Sequence, residues 1–419
     1  MVAPTMERAT VLDRRLQVWF RLHAWWANHS TTVLRCAVAF MAAGASARLL
    51  NESRRLLFET GRSGAVDLRL RHYDVAHWFA GLPVYSGQSH AGYPPASHVM
   101  LWPFLGWLGE WQARWFWGLV TVVVLAVLTA VALRHSRAET RLERVFISLI
   151  FISTYSAPIT IGNGQLGILV LTAMLCGLLL IRPDRAPSWR ADLLATALLL
   201  LATIKPSVTA PLFWIALFMP GRLRPMLLVA TSYVLLTIFA ISFQPDPLLK
   251  LLRDLAHVSA EVMAKDPTPS LAAWMSFLGL QAWTLYASTA VLALCGVWVY
   301  LNRGADFWVL AGVTAIVARL WTYHQLYDDL LLFPAMLALY RIARCGESAG
   351  PINGMAGLLF AAALMEQLAP GRLHLYPYPW HLIYAIGEPA IWIATLLFLV
   401  AYSRRTIDVA VSVRAAASA

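Results

Sequence analysis

The stretch LLATALLLLATIKPSVTAPLFWIALFM, residues 193–219, contains two short apolar runs that are joined by Lys205-Pro206. The first run stops near Ile204 and the second ends near Met219, so each is shorter than the roughly 20 residues that a straight membrane helix needs. Proline interrupts a helix, and irregular backbone at membrane depth is tolerated where it lines a cavity or is buried in protein. The stretch therefore predicts a helix pair that is broken within the membrane, with a lysine at the break.

Apolar runs of this kind continue along the whole chain. Of its 419 residues, 59% are hydrophobic and 13% are charged, whereas soluble domains contain about 25% charged residues. The runs predict an all-α polytopic membrane protein with about twelve transmembrane helices. We expect a single domain over residues 1–419, because no separate soluble region, internal repeat or low-complexity tract interrupts the pattern.

The positive charge of the chain is best explained by membrane topology. The formal net charge is +11, but the arginines lie in short loops between apolar runs and form no continuous basic face for nucleic acid. Because such loops stay inside the cell, the pattern places both termini on the cytoplasmic side. It predicts an interfacial segment at residues 1–33, a first outer loop with an amphipathic helix at 51–115, and a second outer amphipathic segment at 245–270.

The cysteines predict neither a metal site nor a disulfide framework. Cys36, Cys176, Cys295 and Cys345 are dispersed in or beside apolar runs, and no two of them form a CxxC motif. They are expected to be small buried side chains.

Three polar clusters fall on the predicted outer face: Asp67 with its neighbours, Gln165 with Lys205, and His324 to Asp329. Ionisable groups near a membrane are costly to bury, so they are functional candidates. Asp67 is suited to general-base catalysis, although spacing alone favours an aspartate that caps a helix ending at Gly81. Lys205 can snorkel to the interface or hold a lipid phosphate.

Three further features bear on the chemistry. The Asp328-Asp329 pair invites a divalent metal, but adjacent helical side chains point about 100° apart, so we expect one of them alone to face a site and the mechanism to be metal-free. Tyr93-Pro94-Pro95 forms a stiff turn, on which Tyr93 can stack against a sugar. The arginines of the first loop, including Arg69, suit an anionic phosphate.

A set of motifs follows one order along the chain: Asp67, Gly81 and Tyr85; Tyr93-Pro94-Pro95; Gly162-Asn163-Gly164-Gln165; Lys205-Pro206; Tyr323-His324. Together they resemble the pattern of glycosyltransferase family 87, bacterial membrane enzymes that include polyprenol-phosphate-mannose-dependent mannosyltransferases. The chain departs from that pattern at Arg71, where the family often has tyrosine, and at Tyr327-Asp328-Asp329. The resemblance implies the GT-C fold, a polyprenyl-phosphate sugar donor, a glycolipid or glycan acceptor, and an active site on the periplasmic face of the bacterial inner membrane.

The resemblance also implies roles for individual residues. Asp67 would deprotonate the acceptor, with inversion at the anomeric carbon, and Lys205, His324 or loop arginines such as Arg69 would stabilise the departing phosphate. Further substrate contacts are expected at Gln165, Tyr93 and Asp328. No cofactor, metal or nucleic acid is expected, and membrane lipid is the surrounding medium.

Three alternatives remain at this stage. A polymerase or ligase of lipid-linked glycans would use the same outer face but move a whole oligosaccharide. A lipid-linked sugar transporter or flippase would tolerate loss of the Asp67 charge more readily, and such proteins often show repeated halves, which this chain lacks. A structural scaffold would not require polar clusters on one face.

Overall fold

A computed structural model describes residues 4–61, 63–85, 92–265, 269–345, 350–368 and 377–418. These residues form α-helices, two 3₁₀ helices (Gln281–Trp283 and Leu326–Leu332) and no strand. The α-helices, in chain order, are α1 (Pro4–Leu57), α2 (Val66–Phe79), α3 (Pro95–Leu105), α4 (Glu110–His135), α5 (Arg141–Ser153), α6 (Ser156–Asn163), α7 (Gly167–Leu180), α8 (Trp189–Ala202), α9 (Pro206–Phe218), α10 (Leu223–Ile241), α11 (Leu248–Lys265), α12 (Leu271–Phe277), α13 (Thr284–Leu301), α14 (Phe307–Leu320), α15 (Phe333–Ala343), α16 (Pro351–Leu368) and α17 (Trp380–Ser418). The prediction of an all-α fold is confirmed.

Within the described ranges, five helical segments are long and apolar enough to cross a membrane: Asn28–Leu57, Glu110–His135, Leu223–Ile241, Gln281–Leu301 and Ile386–Arg404. A sixth results if α5 and α6, which bend by 51° at their junction, form one span. Their outer surfaces expose large apolar side chains such as Leu119 and Phe239, as lipid contact requires. The protein is therefore a helical membrane protein.

The core is built around α7 and α14, two apolar helices that are shorter than a membrane span. Both are buried over most of their surface. Helix α7 packs against α4, α8 and α9, and α14 packs against α9, α15 and α17. A helix that is apolar on all sides is stable when protein surrounds it, which explains why these two lie at the centre.

The predicted break at Lys205-Pro206 is present. Helix α8 ends at Ala202 and α9 begins with Pro206 at its first position. The carbonyl oxygens released by the break accept hydrogen bonds from side chains, because the Thr209 hydroxyl donates to Ala202 at 3.0 Å and the Ser97 hydroxyl donates to Ile204 at 2.9 Å. Buried backbone polar groups need such partners, so the interruption is built into the fold.

The segment 51–115 is more helical than the sequence analysis predicted. Helix α2 corresponds to the predicted helix and ends before Gly81, whose φ of +70° fits the predicted helix stop. Helix α3, which was not predicted, starts with Pro95 at its first position, a favoured place for proline. Residues 4–50 belong to one continuous helix, α1.

The segment 245–270, predicted to lie outside, contains α11. Its residues Leu249 and Leu252 are 81% and 41% exposed. The face that packs on the protein carries Leu251 and Val258, which join a small cluster with Trp78. This cluster attaches α11 to α2.

Candidate active site

Interruptions of five helical regions supply the polar residues of one site. The start of α2 carries Asp67, the turn between α6 and α7 carries Gln165, and the break between α8 and α9 carries Lys205. The 3₁₀ helix Leu326–Leu332 contributes Asp328, and the extended residues before α3 contribute Tyr93. Side chains leave a helix end in directions that a continuous helix does not allow, and this lets distant parts of the chain contribute to one cluster.

Asp67 occupies the second position of α2 and does not cap it. The N-cap residue is Ala65, whose φ is +46°, and no side chain caps the helix. The Asp67 carboxylate, which is half-buried, instead accepts a hydrogen bond from the Gln165 side chain. Burial raises its pKa, and the Gln165 hydrogen bond and the nearby Arg71 and Lys205 cations oppose the shift. The net result is a carboxylate whose pKa lies above that of an ordinary aspartate.

Asp328 holds Lys205 and His324 in place. Its Oδ1 atom lies 2.7 Å from Lys205 Nζ, and its Oδ2 atom lies 3.2 Å from His324 Nδ1 and from the backbone nitrogen of Gln325. Burial alone would raise the pKa of Asp328, but Lys205 and the His324 hydrogen bond outweigh burial and hold it below the usual range. Asp328 is therefore an ionised acceptor, and the proton on His324 Nδ1 points toward it.

The ring of Tyr93 lies beneath a cation. The Arg71 guanidinium is 4.4 Å from the ring centroid and pairs with Asp74 at 2.9 Å. The Tyr85 hydroxyl donates to the Tyr93 carbonyl at 2.5 Å, which fixes the chain before the Pro94-Pro95 turn. Arg71 was not among the predicted site residues, although its place one helical turn after Asp67 was a usable signal.

Arg69, predicted to bind phosphate, does not join this cluster. Residues two apart on a helix do not face each other, and the Arg69 guanidinium binds Glu110 at 3.1 Å and the Gly61 carbonyl at 3.0 Å. Asp329 also points elsewhere, toward Arg319 and the Tyr155 hydroxyl. Of the two adjacent aspartates, Asp328 alone contacts Lys205 and His324.

Gly164 brings Gln165 against α2. It ends α6 with a φ of +67°, and the Gln165 backbone nitrogen closes the turn by donating to Thr160 at 2.9 Å. A Cβ atom at Gly164 would lie only 2.5 Å from the Cβ atom of Leu68. Close approach of the turn to Asp67 thus depends on glycine for both its backbone angle and its lack of a side chain.

We expect Gly164→Ala to destabilise the protein more than Gly279→Ala. Both glycines have positive φ, which costs an alanine about 1–2 kcal/mol, but a Cβ atom at Gly279 meets nothing within 4 Å. The difference between the unfolding temperatures of the two variants in detergent therefore measures the cost of the contact with Leu68, because both variants share the backbone cost. Equal unfolding temperatures in the two variants would contradict this account of the turn.

Comparison with known protein families assigns the chain. The family model for glycosyltransferase family 87 matches residues 92–343, well over half of the sequence. The chain belongs to glycosyltransferase family 87. Gln165, Lys205, His324 and Asp328 lie within the matched range, and Asp67 precedes it. No curated protein and no solved structure matches the chain. Family 87 membership and the apolar helices together make this protein a membrane glycosyltransferase, as the sequence resemblance predicted.

Proposed function

We propose that this family 87 enzyme transfers one sugar, with mannose favoured, from a polyprenyl-phosphate donor to a lipid or glycan acceptor. Transfer proceeds with inversion, without a metal or cofactor, on the periplasmic face of the bacterial inner membrane. The observation that carries the proposal is a half-buried carboxylate, Asp67, that lies within electrostatic reach of a lysine at a helix break, Lys205. The twelve-span GT-C architecture expected from the sequence is part of this proposal.

The chemistry assigned to Asp67 is that of a general base. Its carboxylate takes the proton of an acceptor hydroxyl while that oxygen forms a bond to the anomeric carbon. The bond between the anomeric carbon and the phosphate oxygen breaks on the opposite side, and its electron pair leaves with the lipid phosphate. A β-linked donor therefore gives an α-glycoside, and the proton remains on Asp67 until solvent removes it.

Lys205 and His324 are assigned to the departing phosphate, which gains a negative charge as the bond breaks. Lys205 can donate further hydrogen bonds besides the one to Asp328, since an ammonium group carries three N–H bonds. Asp328 orients both groups. Gln165 holds the base, and Tyr93 supplies an aromatic face for the sugar.

The two ends of α8 support the proposed orientation. Near its start, Asp192 contacts Arg224 at 3.0 Å and Arg222 at 4.0 Å, in a region that also contains Arg182 and Arg185. Lys205 lies beyond the other end, about 20 Å away at 1.5 Å per residue. Because arginine-rich loops stay in the cytoplasm, this arrangement supports an Asp67 site that faces the outside.

A direct test uses purified protein in lipid with polyprenyl-phosphate mannose, polyprenyl-phosphate arabinofuranose and mixed lipid and glycan acceptors, with and without a chelator. Chelator-resistant transfer of a single sugar supports the proposal. Transfer of an intact oligosaccharide would favour the polymerase or ligase alternative, and movement of the donor across the bilayer without transfer would favour a flippase.

The pH dependence of transfer should follow the protonation state of the Asp67 carboxyl group. A base acts when it is deprotonated, so kcat/KM falls as the pH drops through its pKa, which lies above the ordinary value of 3.8. Because the Gln165 hydrogen bond lowers that pKa, we expect the acid limb of Gln165→Leu to move to higher pH. The matched control is Gln244→Leu. The native Gln244 side chain donates a hydrogen bond to the Trp78 carbonyl, at the far end of α2 from Asp67. An acid limb that is unchanged in Gln165→Leu would contradict the assignment.

A further inference from the structure

A second buried polar cluster lies behind the 3₁₀ helix. Its acids are Asp329, Glu366 of α16 and Glu388 of α17, and one oxygen atom of each lies within 4.8 Å of the others. Asp329 and Glu388 are 1% and 3% exposed. The mechanism assigned above uses none of the three, so their burial requires a separate explanation.

The charges of this cluster do not balance. Arg319, which is also 1% exposed, contacts Asp329 and lies 3.6 Å from Glu388. It is the one cation recorded in contact with these acids among the described residues, against three carboxyl groups. Buried charges are stable when they are paired. The cluster thus lacks two positive charges if all three acids are ionised.

Within the described structure, hydrogen bonds satisfy only some of the carboxylate oxygen atoms in this cluster. Arg319 and the Tyr155 hydroxyl occupy the two oxygens of Asp329, and the Gln367 side chain donates to Glu366 Oε2 at 2.9 Å. Glu366 Oε1 and Glu388 Oε2 are buried and have no hydrogen-bond partner within the described structure. Glu366 and Glu388 thus each keep a buried carboxylate oxygen that is available as a ligand for a cation.

We propose that Asp329, Glu366 and Glu388 bind one divalent metal ion of the hard class, such as Mg²⁺, Ca²⁺ or Mn²⁺. Carboxylate oxygens are the ligands that these ions prefer, and a charge of +2 balances the cluster. The ion joins α16 and α17 to the 3₁₀ helix, so it acts on stability. It takes no part in the sugar transfer, and this inference does not rest on the proposed function.

The test measures metal binding directly. Full-length protein in detergent is treated with chelator, dialysed, and titrated with MgCl₂, CaCl₂ or MnCl₂ alone, with bound metal determined by mass spectrometry and unfolding followed by fluorescence. We expect about one equivalent of bound ion, and an increase in Tm of about 3 °C at a cation concentration about 100 times Kd. Glu388→Gln should abolish both effects.

Controls keep the result interpretable. Asp192→Asn removes a buried carboxylate that two arginines already balance, so its metal response should match that of the wild type. Glu366→Gln serves as the second variant where Glu388→Gln fails to fold. The inference is overturned if the wild type shows no saturable binding. A higher Tm of Glu388→Gln in chelator would then indicate carboxyl groups that share protons. An unaltered metal response in both glutamine variants would place the ion elsewhere and also overturn it.

Discussion

Asp67→Asn should transfer sugar about 10²- to 10⁴-fold more slowly than the wild type, the range that a positioned general base contributes. The amide has nearly the shape of the carboxylate but cannot accept the acceptor's proton. Since the loss concerns the transition state and not donor binding, kcat should fall while the affinity for the lipid-linked donor is retained. Single-turnover transfer and donor binding, measured on the same preparation, provide the two quantities.

The control for this experiment is Asp246→Asn, which removes a partly exposed carboxylate before α11 that pairs only with Lys250 among the described residues. It lies outside the proposed site, so we expect transfer at the rate of the wild type. A similar rate in Asp67→Asn would remove Asp67 from the mechanism and direct attention to Asp328.

Lys205→Met should affect both stability and catalysis. Removing the lysine leaves the buried Asp328 carboxylate without its cation, and breaking a buried ion pair in this way costs about 3–5 kcal/mol. The same change removes the group assigned to the departing phosphate, so transfer should fall at least about 100-fold. Chemical unfolding and single-turnover transfer measure the two losses separately.

The double variant Lys205→Met/Asp328→Asn separates these effects. Asparagine removes the stranded charge, so most of the lost stability should return while transfer stays low. Recovery of transfer together with stability would show that the ion pair is only structural. If stability does not recover, Lys205 stabilises the protein mainly through other contacts, such as the one with the Tyr327 ring, whose centroid lies 5.4 Å from Nζ.

The features that the sequence predicted best are those with local causes. Pro206 ends one helix and starts the next, and glycine at 81 and 164 supplies the left-handed backbone of two turns. These interruptions can be recognised without any tertiary information. They also carry much of the site, which is why Asp67, Gln165 and Lys205 could be selected from a chain that is mostly apolar.

The features that were missed depend on contacts between distant parts of the chain. The stacking of Arg71 on Tyr93 joins α2 to the turn before α3, and the acidic cluster joins Asp329 to Glu388 of the last helix. The spacing of Asp67 and Arg71 indicates that they share a helix face, but no local pattern indicates that Arg71 meets Tyr93 or that Asp329 meets Glu388. The number of membrane spans is also hard to predict from sequence. Apolar helices such as α7 and α14 are so short that composition alone does not distinguish a membrane span from a buried core helix.

The measurement that tests the central claim most directly compares donors. Purified enzyme in liposomes would receive radiolabelled polyprenyl-phosphate mannose or a nucleotide-linked mannose, with chelator present and a mixture of lipid acceptors, and the anomeric configuration of the product would be determined by NMR. We expect transfer from the lipid-linked donor alone, giving an α-mannoside from the β-linked donor. Transfer from the nucleotide sugar, or a product that retains the donor's configuration, would contradict the account.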